Sequence, residues 1–297
     1  MLASLLKAAV LPALAVAAIL PVVGPTAVAS AHNGAVLTPA PRQPVSPVLA
    51  RPELPHSMAA LGDSITQAFD ATPTTHILAN QPQYSWSTGY SPLVDSQYEH
   101  LLAGADRAIK DHYFDDAVTG SKMNKLVSQA RRAAAQRARY VTILMGANDL
   151  CTHTAAQMTP VATFRREFAA GLEELQHIHG VRIFVSSIPN LYKLWQLFHD
   201  NPLAQSRWAF GICPSMLSLK NTQADRLAVL VRERADNAVL ASVCRTHKDC
   251  RFDNLAVFDF SFKARDLSTI DYYHPSILGQ RLLAAVTWRA SFWPKLK

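Results

Sequence analysis

The chain has 297 residues, 49% of them hydrophobic and 17% charged, with a formal charge of +7 at pH 7. That length allows one large domain with a sizeable core, and no internal repeat divides it. The basic residues are dispersed, and the densest cluster, RRAAAQRAR at 131–139, reads as the solvated face of a helix. No aromatic residues interleave with them, which excludes a nucleic-acid partner; transient contact with an anionic membrane surface stays open.

Residues 1–31 carry one early cation (Lys7), a long apolar run broken by two prolines, and the small-residue stretch AVASA at 27–31. That order predicts a signal peptide and hence a secreted protein, with cleavage after Ala29 or Ala31. No cysteine follows the cleavage region, which excludes a lipoprotein anchor, and no later run is long and apolar enough to span a bilayer. Residues 32–56 hold six prolines and no periodicity, the pattern of an extended tether. The folded domain is expected over 57–297.

SMAAL at 57–61 predicts a buried strand leading into Gly62, followed by GDSITQAFD, where Ser64 could cap a helix or act as a nucleophile. Helical spacing follows over 91–103, a second strand over 107–114 (RAIKDHYF), and a strong helix over 122–136. YVTILMG at 140–146 has the composition of a buried parallel strand and runs into GANDL. A helix over 159–178 is predicted with Thr159 as N-cap and Pro160 at its first position. VRIFVSSIP (181–189) and NLAVFDF (254–260) are the remaining predicted strands, with helices over 217–243 and 276–290. The segment 191–217 is a candidate pocket wall or lid, in which Trp195, Phe198, Trp208 and Phe210 offer either an acyl-binding surface or ordinary core packing.

Strands alternating with helices predict a three-layer α/β/α sandwich with a central parallel sheet. Ligands in such folds sit at the carboxyl ends of the strands. The turn at Ser64, the turn after TILMG and the loop after AVFDF would then share one edge.

The four cysteines, in an exported chain, point to disulfides. Three pairings are open; CRTHKDC invites a local Cys244–Cys250 loop, which leaves Cys151 with Cys213. Neither pair has zinc-finger spacing, and no metal or other cofactor is expected.

A serine nucleophile needs a base, a group that orients the base, and donors for the oxyanion. Among the eleven histidines, His177 and His179 fall at a helix end, His112 sits in a generic acidic pattern, and His247 lies between two cysteines. His274 in DYYHPS differs, because Asp271 three residues earlier can bond its Nδ1–H and leave Nε2 facing a hydroxyl. Asn148 in GANDL brings an amide, and Gly120 in AVTGS a backbone N–H that a ligand can approach closely. Each of these could equally be a plain turn residue.

Gly-Asp-Ser at 62–64, Gly120 after AVT, GAND at 146–149 and Asp271-x-x-His274 occur in that order, and together they resemble the GDSL/SGNH hydrolase superfamily of esterases and lipases. YSWSTG (84–89), GANDLC and SIPNLYKLW (187–195) resemble its phospholipase-B-like branch. The resemblance implies a flavodoxin-like SGNH fold, Ser64 as nucleophile, His274 as base, Asp271 as its orienting acid, and an oxyanion hole of Ser64, Gly120 and Asn148. One position departs from the pattern: Asp115 stands where the second block commonly has Asn. The Ser lacks the G-x-S-x-G elbow of α/β-hydrolases. The expected activity is hydrolysis of carboxylic esters through an acyl-enzyme, on lipid or phospholipid acyl esters, by a monomer. The alternatives are a polysaccharide or glycan O-acetylesterase and a non-catalytic module that binds lipid or glycan.

Overall fold

The computed structural model describes residues 53–73, 77–104 and 107–296. The expected signal peptide and tether residues 32–52 lie outside the described residues. Five strands, β1 (Met58–Gly62), β2 (Tyr113–Asp115), β3 (Tyr140–Leu144), β4 (Arg182–Val185) and β5 (Cys250–Phe252), form one parallel sheet in the order β2-β1-β3-β4-β5. Every residue of β1 and β3 is buried, as their unbroken apolar runs require when helices cover both faces.

The principal helices are α1 (Gln97–Gly104), α2 (Leu126–Ala135), α4 (Val161–Gln176), α8 (Gln223–Cys244) and α10 (Ile277–Ala290). Right-handed crossovers decide their faces. The β1-to-β2 connection runs one way across the sheet and places α1 on one face. The connections β2 to β3, β3 to β4 and β4 to β5 run the other way and place α2, α4 and α8 opposite, where α2 packs on α4 and α4 on α8. On the first face, Gln97 Nε2 of α1 donates to Thr287 Oγ1 of α10 at 2.9 Å. The result is the three-layer sandwich expected from the alternating pattern.

Several local expectations need correction. Within RAIKDHYF only the last two residues join β2, because Arg107 and Asp111 adopt φ of 56° and 63° and fold the preceding run into turns. NLAVFDF is not a strand. Asn254 and Leu255 are left-handed, and both Asp253 oxygens accept backbone N–H groups, from Leu255 and Val257, starting the short helix α9 (Ala256–Asp259). The edge strand β5 comes earlier, in the short, partly exposed CRF run. Thr159 does not cap α4: its hydroxyl donates to Asp149 Oδ1 at 2.7 Å, and Pro160 takes the cap position. Helix α1 starts at Gln97 rather than 91. The expected 217–243 helix begins at Gln223, behind a reciprocal Thr222–Asp225 capping box. Before it, residues 191–217 form three short helices, α5 (Leu191–Phe198), α6 (Pro202–Trp208) and α7 (Pro214–Leu217).

Candidate active site

Strand β1 ends where the chain must pass close to its neighbour. A Cβ on Gly62 would stand 2.6 Å from Leu144 O and 2.4 Å from Thr66 Oγ1, so only glycine fits. Gln129 of α2 clamps this point from both sides, accepting from Gly62 N–H at 2.8 Å and donating to Gly62 O at 2.9 Å. The turn that follows is not a regular helix, because Ala68 and Asp70 adopt φ of 47° and 53°. Ser64 therefore caps no helix. Its buried Oγ lies 2.8 Å from His274 Nε2.

His274 Nδ1 lies 2.5 Å from Asp271 Oδ2. Asp271 Oδ1 accepts the N–H groups of Tyr273 (2.9 Å) and His274 (3.1 Å), which leaves Oδ2 for the ring. With Nδ1–H donating to the carboxylate, Nε2 keeps the lone pair that accepts the Ser64 hydroxyl. Burial works to raise the Asp271 carboxyl, but the bond and charge of His274 and the two N–H groups together hold it below its ordinary value.

The DYYH turn is braced from outside. Tyr272 has φ of 55°, a left-handed conformation that a non-glycine residue holds only when its surroundings fix it. Phe198 packs edge-on against its ring with centroids 5.3 Å apart, and Trp208 Nε1 donates to its carbonyl at 3.3 Å. Phe198 and Trp208 therefore support the site rather than an acyl chain. Trp195 stacks on His199 and lies under the Arg226 guanidinium, and Phe210 is exposed.

Asn148, on the short helix α3 (Ala147–Leu150), joins the other blocks. Its Nδ2 donates to Ser121 O at 3.1 Å and, more weakly, to Asp63 Oδ2 at 3.4 Å. Asp63 is fully buried, and that burial pushes its carboxyl up to about 6. Gly120 has φ of 79° with open space where a Cβ would be, so its backbone conformation, not crowding, asks for glycine. Among the described residues, neither the Ser64 nor the Gly120 N–H has an acceptor. The other histidines stand elsewhere: His177 and His179 are exposed, His112 Nδ1 contacts Lys110 O, and His247 Nδ1 contacts Gln176.

Asp115, the residue that departs from the pattern of the second block, ties the Ser64 turn to the loop carrying Gly120. Its Oδ1 accepts from Gln67 Nε2 (3.0 Å) and Ala117 N–H (3.2 Å), and Gln67 Nε2 also donates to Ala117 O at 2.7 Å. Asp115 Oδ2 is buried without a partner among the described residues. Burial, with the neighbouring Asp116 charge, pushes the carboxyl up to about 7. An unfolded Asp releases its proton near pH ~4, so between roughly pH 4 and 7 the folded state holds a proton the unfolded state has lost. Stability then falls as pH rises through that window. Asp115→Asn keeps the Oδ1 acceptor and removes the penalty. Its melting temperature should exceed wild type by roughly 3–6 °C at pH 8, about 1–2 kcal/mol, with the gain vanishing near pH 4. Calorimetry showing a pH-independent difference would contradict this.

A narrow, mostly apolar groove of about 40 Å³ is lined by chain neighbours of the serine and histidine, though by neither residue itself. Ile65, next to Ser64, and Tyr273 and Pro275, either side of His274, line one end. Leu191, Leu194 and Leu197 of α5, with Phe260 and Phe262, supply most of the remaining apolar lining, beside Asn190 and Lys193. The leucines lie on the same short helix as Trp195 and Phe198, spaced three residues apart, which is the signal the sequence offered for this wall.

Cys151 is bonded to Cys213 and Cys244 to Cys250. The first bridge ties the GAND helix to α7, and Cys151 Sγ lies 3.4 Å from Tyr273 Oη behind the histidine. Two disulfides fit an extracellular protein. Among the described residues, no helix is long and apolar enough to cross a membrane.

A parallel sandwich with these four blocks gathered at the carboxyl edge of its sheet defines an SGNH-type hydrolase. Residues 60–282 match the GDSL-like lipase/acylhydrolase family, and the chain belongs to that family. It is a carboxylic ester hydrolase. Similar solved structures include a catalytic mutant of an acetylxylan esterase from Geobacillus stearothermophilus, with 14% identity over 79% of this chain and 93% of that one and a TM-score of 0.50. An α/β hydrolase enzyme from the metagenome of Lake Arreo, Spain, has 13% identity over 79% of this chain and 94% of the other, again with a TM-score of 0.50. At these identities the likeness shows the fold. No curated protein matches the chain.

Proposed function

We propose that this hydrolase is a secreted serine esterase that cleaves lipid acyl esters through a covalent intermediate on Ser64, carried by the 57–297 domain. The observation that carries the reading is the hydrogen-bonded line from Ser64 Oγ through His274 to Asp271, at 2.8 and 2.5 Å. Ser64 Oγ attacks the ester carbonyl carbon as its proton passes to His274 Nε2, and the carbonyl electron pair moves onto oxygen. The Ser64 and Gly120 N–H groups and Asn148 Nδ2 receive that oxyanion; the weakly held 3.4 Å hydrogen of Nδ2 is the one redirected to it. Collapse breaks the bond to the alcohol oxygen, which takes the proton from Nε2. Water then attacks the acyl-enzyme by the same route, releasing the acid and restoring Ser64. Asp271 fixes the ring tautomer and balances the imidazolium without taking the proton.

The apolar groove supports an acyl chain longer than acetyl, and Leu191 and Leu194 from the SIPNLYKLW block line it, in keeping with the phospholipase-B-like branch. Each methylene buried there is worth about 0.8 kcal/mol. A groove of this volume takes one or two methylenes, so across p-nitrophenyl esters kcat/KM should rise about 4–15-fold from acetyl to butanoyl and then level off. Leu194→Trp should fill the groove and erase that rise while acetyl ester turnover continues. A wild-type series that peaks at acetyl would instead make the protein an O-acetylesterase, and no turnover of any ester would leave only a binding module.

A further inference from the structure

Helix α5, whose leucines line the groove, is held from behind by α8. Gln223, Arg226, Glu233 and Asn237 recur at helical intervals and share one face of α8. Gln223 Nε2 donates to Tyr192 Oη at 2.6 Å, and the Arg226 guanidinium lies 4.6 Å from the centroid of the Trp195 ring. Glu233 Oε1 accepts the Leu191 N–H at 3.1 Å, and Asn237 Oδ1 accepts the Ile188 N–H at 2.8 Å. Glu233 is the unexpected member of this row. It is fully buried, and its Oε2 has no partner among the described residues. Burial pushes its carboxyl well above the ordinary value; the Leu191 N–H opposes that rise, the Asp236 charge adds to it and Arg234 opposes it. Glu233 therefore stands there as a neutral acid. An apolar side chain of the same size would fill the space without burying a polar group. What the acid adds is an acceptor. The Leu191 N–H belongs to the first turn of α5, where backbone donors have no partner within the helix. The Asn190 side chain takes the Lys193 N–H at 2.9 Å, and Leu191 is buried away from water.

We infer that Glu233 is a specificity-positioning residue: it touches no substrate, but by holding the Leu191 N–H it fixes the groove wall against the acyl chain. The inference rests on the acyl-groove reading and adds what keeps that groove narrow. Helix α5 has only eight residues, too few to hold its place by its own hydrogen bonds. Without the acceptor, the Leu191 N–H is left buried and unpaired, and the first turn shifts toward water to satisfy it. Leu191 and Leu194 move with that turn and lose their contact with the acyl methylenes. The Ser64–His274–Asp271 line, on other elements, is not part of this tether.

The test reads the ratio of kcat/KM for p-nitrophenyl butanoate to that for p-nitrophenyl acetate. Rates are taken per active site titrated with a fluorophosphonate, so misfolded protein drops out and chemistry common to both esters cancels. The wild-type ratio should be about 4–15. Glu233→Met keeps the bulk and removes the acceptor; it should bring the ratio below about 2, through a higher KM for butanoate. Glu233→Gln keeps a neutral acceptor and should retain the wild-type ratio, a rescue that general loosening of the core would not give. Should Glu233→Met yield no titratable sites, the same bond is cut from its other end. Protein carrying the α-hydroxy acid of leucine at position 191 has oxygen in place of the backbone N–H and the same side chain in the groove. Its ratio should fall as far. An unchanged ratio in the Glu233→Met or hydroxy-acid protein, or an equal fall in Glu233→Gln and Glu233→Met, overturns the inference and leaves the acyl groove standing. A wild-type ratio of one or less removes the acyl groove and this inference with it, while turnover of acetate keeps the esterase.

Discussion

Ser64→Ala should lower kcat by at least about 10⁴-fold on any ester and leave the fold intact. The size follows from removing a member of a nucleophile–base–acid unit, after which only oxyanion donors and binding contribute. The fold should survive because, among the described residues, Ser64 Oγ bonds only His274 and caps no helix, so the melting temperature should move by a degree or two. Members of such a unit are not additive. His274→Ala should be about as damaging, and the double variant little worse than either single one. A double variant whose loss equals the product of the two single losses would mean that the residues act separately.

Asn148→Ala should cost roughly 10²–10³ in kcat, about 3–4 kcal/mol, with KM nearly unchanged. The split between the constants follows because the oxyanion charge exists only in the transition state. The loss has a structural component too, since Nδ2 bonds Ser121 O and Asp63, so the melting temperature should fall modestly. Asn148→Asp should be at least as harmful: it aims a carboxylate at the oxyanion and sets it beside buried Asp63, whose carboxyl already lies near 6. The measurement needs an ester slow enough that chemistry limits the rate. Normal kcat for Asn148→Ala on such an ester would reduce the residue to a turn former.

The parts of the fold legible in the sequence are those where local composition and tertiary environment agree. β1 and β3 are buried on both faces and read as unbroken apolar runs, and α2, α4 and α10 carry strong periodicity or caps. NLAVFDF misleads because its apolar residues pack from a helical turn that Asp253 starts through two side-chain bonds, a signal that competes with strand propensity. Its true neighbour β5 is three residues long at the sheet edge, too short to leave a period. The residues that meet at the site were legible as motifs, since each block needs its own backbone geometry: close approach at Gly62, left-handed φ at Gly120, an Asp bond to Nδ1 at i+3. Their meeting was legible only through the order of blocks in a parallel sheet. The groove was not, because which face of α5 turns inward depends on Tyr272, against which Phe198 packs. Phe198 and Trp208 of that segment hold the DYYH turn, and the leucines line the groove.

The central claim, that Ser64 is the nucleophile, is tested most directly by covalent trapping. Incubation with an alkyl fluorophosphonate should inactivate the wild type with one adduct per chain, and peptide mapping should place the adduct on Ser64. His274→Ala, lacking the base, should label far more slowly under the same conditions. Complete inactivation with the adduct on another residue, or full ester turnover by protein modified at Ser64, would contradict it.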